Sequence, residues 1–89
     1  MHDTDAGREM TTILDLGAFL VRCYARESAN EPPHVHVVVD REHVVRINLL
    51  DYTWMDAPPR RAVQAMHLYR THKPACLEAW NRLHSDRIL

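Results

Sequence analysis

Residues 34–49 read HVHVVVDREHVVRINL, and the way this stretch pairs with itself decides the fold. Val35, Val37 and Val39 alternate with His34 and His36, a period of two that belongs to a strand with one buried face. After the polar turn DREH, a second apolar run begins at Val44. Directly opposed residues of an antiparallel hairpin share a face, so the length of the connection decides which side chains meet. Pairing Val37 with Val45 and Val35 with Ile47 gathers Val35, Val37, Val39, Val45, Ile47 and Leu49 on one core side. His36 then stands opposite Arg46, and His34 opposite Asn48. A slip of one residue would set His36 beside Ile47 and scatter polar groups into the core. The register therefore predicts a three-residue connection or a bulge over residues 40–42, where no glycine supplies the usual left-handed position.

Outward from the hairpin, FLVRCYAR (19–26) alternates Phe19, Val21 and Cys23 against Leu20, Arg22, Tyr24 and Arg26, which predicts another half-buried strand. TTIL (11–14) predicts a shorter one, with a turn at residues 15–17. ESANEPP and DYTWMDA read as loops. From Pro58 the period becomes helical, and proline suits a first helical turn because its missing N–H would be unpaired there. Ala62, Ala65, Met66 and Tyr69 fall on one face, and Arg60, Gln64, His67 and Thr71 opposite. Pro74 ends this helix near His72 and opens a second, which buries Leu77, Trp80 and Leu83. The expected architecture is an α+β two-layer domain: an antiparallel sheet of three to four strands packed against two C-terminal helices. Residues 1–10 are expected to form a flexible arm and 11–89 a single domain.

Composition narrows the class. The chain has 89 residues, a formal net charge of −1, seven histidines and two glycines. That length gives one domain. Two cysteines, Cys23 and Cys76, make no disulfide framework and read as buried thiols of a reducing cytosol. The N-terminus lacks the apolar core of a signal peptide, and no apolar run approaches the ~20 residues of a membrane span. The expected setting is cytoplasmic, away from membranes. The near-neutral total conceals an asymmetry: residues 1–15 carry −3 and residues 57–89 carry +4. The basic end could meet nucleic acid or an acidic protein, or could be a solvated helix face.

The chemistry concentrates on one side of the sheet. Arg22, Tyr24, His34, His36, Arg46 and Asn48 are expected on the polar face. Two histidines at alternate strand positions can chelate a metal, share acid/base work, or simply pack under a loop. A metal would need a third ligand, and Glu31, Asp51 and His43 stand at no fixed spacing. No cofactor or metal is assigned. An Arg/Tyr/His cluster without acids suits metal-independent RNA cleavage, with His34 and His36 as acid and base, Arg22 and Arg46 on phosphate, and Tyr24 orienting substrate. These five are the candidate catalytic residues; the competing reading is arginines snorkelling on an ordinary strand face. Trp80 reads as a core anchor, whereas Trp54 in a loop suggests a partner surface. Scarce glycine argues against a phosphate-cradling loop.

Arg22-x-Tyr24, EPPHVHV (31–37), PPRRA (58–62) and the run from His72 to Trp80 resemble the small bacterial domain-of-unknown-function family 4160, over residues 11–84. The matching positions are Arg22, Tyr24, Pro32, Pro33, His34, His36, Arg60, Arg61, His72 and Trp80. VVVDREH stands where the family has a more polar turn, and Pro74 where it has a polar helix-former. The family has no established reaction, but its members are often encoded beside another small protein, so the resemblance implies a toxin–antitoxin arrangement with that neighbour as the cognate partner. The expected function is thus a toxin-like protein acting on RNA. A non-enzymatic module that binds a partner through the same face, or through the helices and Trp54, is the alternative; a metal-binding regulatory domain is the third. A homodimer through a sheet edge is also open.

Overall fold

The computed structural model describes residues 10–25, 30–58, 60–85 and 87–89. One antiparallel sheet holds β1 (Met10–Asp15), β2 (Phe19–Tyr24), β3 (His34–Val39) and β4 (His43–Asn48) in sequential order. Helices α1 (Ala62–Thr71) and α2 (Lys73–Leu83) follow. The domain is therefore α+β, as the change of period at Pro58 predicts. Of the expected arm, residues 1–9 lie outside the described residues, and Met10 is the first residue of β1.

The hairpin has the register that its valines require. Val37 pairs with Val45, Val35 with Ile47, His36 with Arg46 and His34 with Asn48. The ladder extends to Val39 opposite His43, leaving the three residues 40–42 as the connection. Asp40 and Arg41 turn it with φ of 52° and 59°, in the left-handed region normally given to glycine or asparagine. A side-chain ion pair from Arg61 to Asp40, at 2.8 Å, ties this turn to the start of α1.

The odd-numbered side chains of β2, β3 and β4 form the core with α1 and α2. Phe19, Val21, Cys23, Val35, Val37, Val39, Val45 and Ile47 pack against Ala65, Tyr69, Cys76, Ala79 and Trp80. The α2 stripe differs from the expected one. Cys76, Ala79 and Trp80 are buried, while Leu77 and Leu83 are only half-buried. Small residues at 76 and 79 let the helix approach the sheet, and Trp80 fills the remaining space. Its indole N–H donates to the Arg87 carbonyl at 2.8 Å, and its ring stacks on His84 at 3.6 Å between centroids. His72 joins the two helices, its N–H directed at the Leu68 and Tyr69 carbonyls while its own carbonyl accepts from Cys76. Pro74 lies in the first turn of α2, where its absent donor costs nothing.

Residues 51–57, expected as a plain loop, do more than connect. Tyr52 turns the chain with φ of 61°, and Trp54 then bridges back to Ile47. Asn48 N–H donates to the Thr53 carbonyl and Met55 N–H to the Arg46 carbonyl. This strap occupies the outer edge of β4. Both cysteines are buried and neither is in a disulfide, and burial raises the Cys76 thiol to about 11. Among the described residues, no helix is long and apolar enough to cross a membrane.

Candidate functional site: a clasped polar sheet face beside an open helix face

Strand pairing builds the polar face as a row. Thr12 lies opposite Arg22, Arg22 opposite His36, and His36 opposite Arg46, one residue from each strand. Three rings converge beside this row. Tyr24 meets His36 edge-on at 4.7 Å, and His36 lies 5.1 Å from His34. All five residues singled out in the sequence are thus on neighbouring strands, and the two histidines and the tyrosine are in ring contact.

Their environments differ from a wet, acid-free cluster. His34 is 1% exposed, and its Nδ1–H donates to the Pro32 carbonyl at 2.8 Å. The PPH turn therefore fixes this ring against its own backbone, and Trp80 approaches it from α2 at 6.2 Å between centroids. His36 is half-buried, and its pKa falls to about 4. Burial is the main cause, followed by charge repulsion from His34 and Arg46, against weaker attraction to Asp56 and Glu31. His36 is consequently a neutral imidazole at pH 7.

Arg46 departs furthest from the sequence reading. Its Nε and Nη2 donate to the two oxygens of Asp56 at 3.0 and 2.8 Å, a bidentate clasp. Its Nη1 donates to Glu31, and its backbone N–H donates to Asp56 as well, at 2.9 Å. The cluster is not acid-free. Two carboxylates surround one guanidinium, and the arginine hydrogen bonds hold Asp56 below the usual carboxylate range. Sequence spacing gave no sign of Asp56, because its approach depends on the strap turning at Tyr52. No group of three or more His, Cys, Asp or Glu side chains among the described residues is placed to hold a metal.

The outward face of α1 is the second notable surface. Val63 is 85% exposed. On one side of it a cavity of about 450 Å³ is lined by Trp54, Ala62, Met66, His67 and Arg70. On the other, a cavity of about 590 Å³ is lined by Leu16, Ala18, Phe19, Gln64 and Leu68, with Arg61 at its margin. Val63 and His67 border both. The available sequence signal was Val63 itself, an apolar residue off the Ala62–Ala65–Met66–Tyr69 stripe.

Comparison with known proteins places residues 18–81 in the family described as Domain of unknown function (DUF4160). The chain belongs to that family. The matched region runs from the start of β2 to within α2, so the DUF4160 segment contains the row from Arg22 to Arg46, the strap and the whole α1 face. No curated protein and no solved structure matches the chain.

Proposed function

We propose that this DUF4160 chain is the partner-binding member of a two-protein, toxin–antitoxin-type module, and that it works by contact rather than by catalysis. The observation that carries this reading is Val63, exposed at 85% on a helix ridge between two apolar cavities. An exposed apolar ridge with flanking grooves is costly to leave in water and is characteristic of a protein-docking surface. The cognate small protein implied by the family resemblance supplies the occupant.

The polar sheet face favours RNA cleavage less. General acid catalysis near neutral pH needs a protonated group, and His36 titrates near 4. Phosphate binding needs open guanidinium donors, and Arg46 is already engaged by Asp56 and Glu31. His34 is sealed from solvent. In this reading Arg46 holds the strap, which presents Trp54 to the docking surface, and His34 holds the PPH turn, while Arg22, Tyr24 and His36 pack the polar face of the sheet.

Co-expression with the protein encoded beside this gene tests the proposal. A complex should form, and Val63→Glu should weaken it by about tenfold or more, since it places a charge in an apolar contact. His36→Ala should leave affinity unchanged. Absence of a complex, or a complex indifferent to Val63→Glu, overturns the reading. RNA cleavage by the purified wild type that is lost in His36→Ala would restore the enzymatic alternative.

A further inference from the structure

We infer that the α1 surface is built to receive an acidic amphipathic helix, whose apolar side chains enter the two cavities and whose carboxylates meet the surrounding arginines. This inference rests on the docking role proposed above and specifies the chemistry of the occupant.

Shape gives the first argument. Val63 and His67 stand four residues apart, so they form one ridge along α1. Ala62, Met66 and Arg70 line the groove on the Trp54 side at the same four-residue spacing. Gln64 and Leu68 line the groove on the Phe19 side. A ridge with a groove on each side is the surface that a second helix packs against, its own rows falling into the two grooves. The outer walls are Trp54 from the strap and Leu16, Ala18 and Phe19 from the β1–β2 turn and the start of β2. Cavities of about 450 and 590 Å³ have room for several leucine-sized side chains.

Charge gives the second. Among the described residues, no carboxylate lines either cavity. Between Asp56 and Glu78 the sequence holds no acid at all, but it contains Arg60, Arg61, Arg70 and Lys73. Arg61, at the margin of the Phe19-side groove, is partly met by Asp40, whereas Arg70 lines the Trp54-side groove and is exposed; Arg60, also exposed, lies outside both grooves. A basic or neutral ligand would leave these cations uncompensated; glutamates flanking an apolar stripe would pair with them and steer the encounter. Trp54, Met66, Val63, Leu68, Phe19 and Leu16 make up the apolar part of the walls, a surface that a sugar–phosphate backbone would not fill.

The test uses synthetic helical peptides of about 20 residues, some 30 Å long, added to the full chain and followed by amide and indole NMR shifts. One peptide carries leucines at helical spacing with glutamates on either flank. A second replaces each glutamate with lysine, and a third replaces each leucine with serine. The glutamate peptide should bind about tenfold or more tightly than either control, with shifts centred on Trp54, Val63, His67 and Leu68. Arg70→Glu and Val63→Glu should each weaken it by about tenfold, and added salt should weaken it further. Absence of binding, equal or tighter binding of the lysine peptide, or shifts centred on Arg22, Tyr24 and His36 overturns the inference. So does a single-stranded RNA oligonucleotide that displaces the peptide from the same residues. If the co-expressed partner still depends on Val63 while the glutamate peptide fails, the docking role stands and the acidic-helix chemistry falls.

Discussion

At the scale of single residues, the central fact is a neutral imidazole set between two arginine positions. His36 lies opposite Arg22 on one side and Arg46 on the other, and burial keeps its proton off. Because its folded pKa of about 4 is below the ordinary 6.5, the unfolded chain binds more protons than the folded one between those values. Stability from this group is fully present above about 6.5 and declines as pH falls toward 4. Asp56, depressed by Arg46, adds its own loss below the usual carboxylate range. Urea titrations should show a midpoint that falls from pH 6.5 to 4, with a shallower slope in His36→Gln; the His36 ring protons should titrate near 4 by NMR. Asp56→Ala removes bonds to a charged partner and should cost about 1.5–3 kcal/mol at neutral pH, read from the same urea curves. The sequence made the histidine pair and its neighbours legible, because alternate strand positions share a face. It concealed the burial of His34 and the acids around Arg46, which depend on where the PPH turn and the strap lie in space.

At the scale of elements, the β3–β4 connection shows how strongly a core pattern can override turn preference. Six apolar residues demand odd-to-odd pairing, and the chain meets that demand by placing Asp40 and Arg41 in left-handed backbone. A residue with a Cβ is disfavoured there by roughly 1 kcal/mol. Arg41→Gly should therefore raise stability by about 0.5–1 kcal/mol, seen as a higher denaturant midpoint with an unchanged slope. An unchanged or lower midpoint would mean that the turn carries no strain. Strands and helices were legible through their periods, and Pro74 through its missing donor. The pairing of residues 53–55 with β4 was not, since DYTWMDA has no alternation and its return rests on one left-handed tyrosine. In α2, the helical period found Trp80 but overrated Leu77, because Cys76 and Ala79 turn toward the sheet. On α1, Val63→Glu should change stability by less than about 0.5 kcal/mol, since the side chain touches mostly water.

At the scale of the molecule, the two sides have opposite characters. Sheet, strap and tail are locked by specific contacts: Arg46 to Asp56 and Glu31, His84 Nε2–H to the Tyr24 carbonyl, and Arg87 to the Glu31 carbonyl. Trp80 is the hinge pin of that assembly, fully buried and bonded to the tail. Trp80→Ala should lower stability by about 3–5 kcal/mol and loosen residues 84–89, visible as lost amide protection. The outward face of α1 is grooved and open, and no carboxylate among the described residues lines its two cavities. The near-zero net charge of the whole chain hides this division, and only the local sum over residues 57–89 hints at it. The most direct test compares Val63→Glu and His36→Ala for affinity toward the protein encoded beside this gene, with both folds verified. The account predicts that Val63→Glu loses about tenfold or more while His36→Ala binds like wild type. Loss of binding in His36→Ala with Val63→Glu unaffected would contradict it.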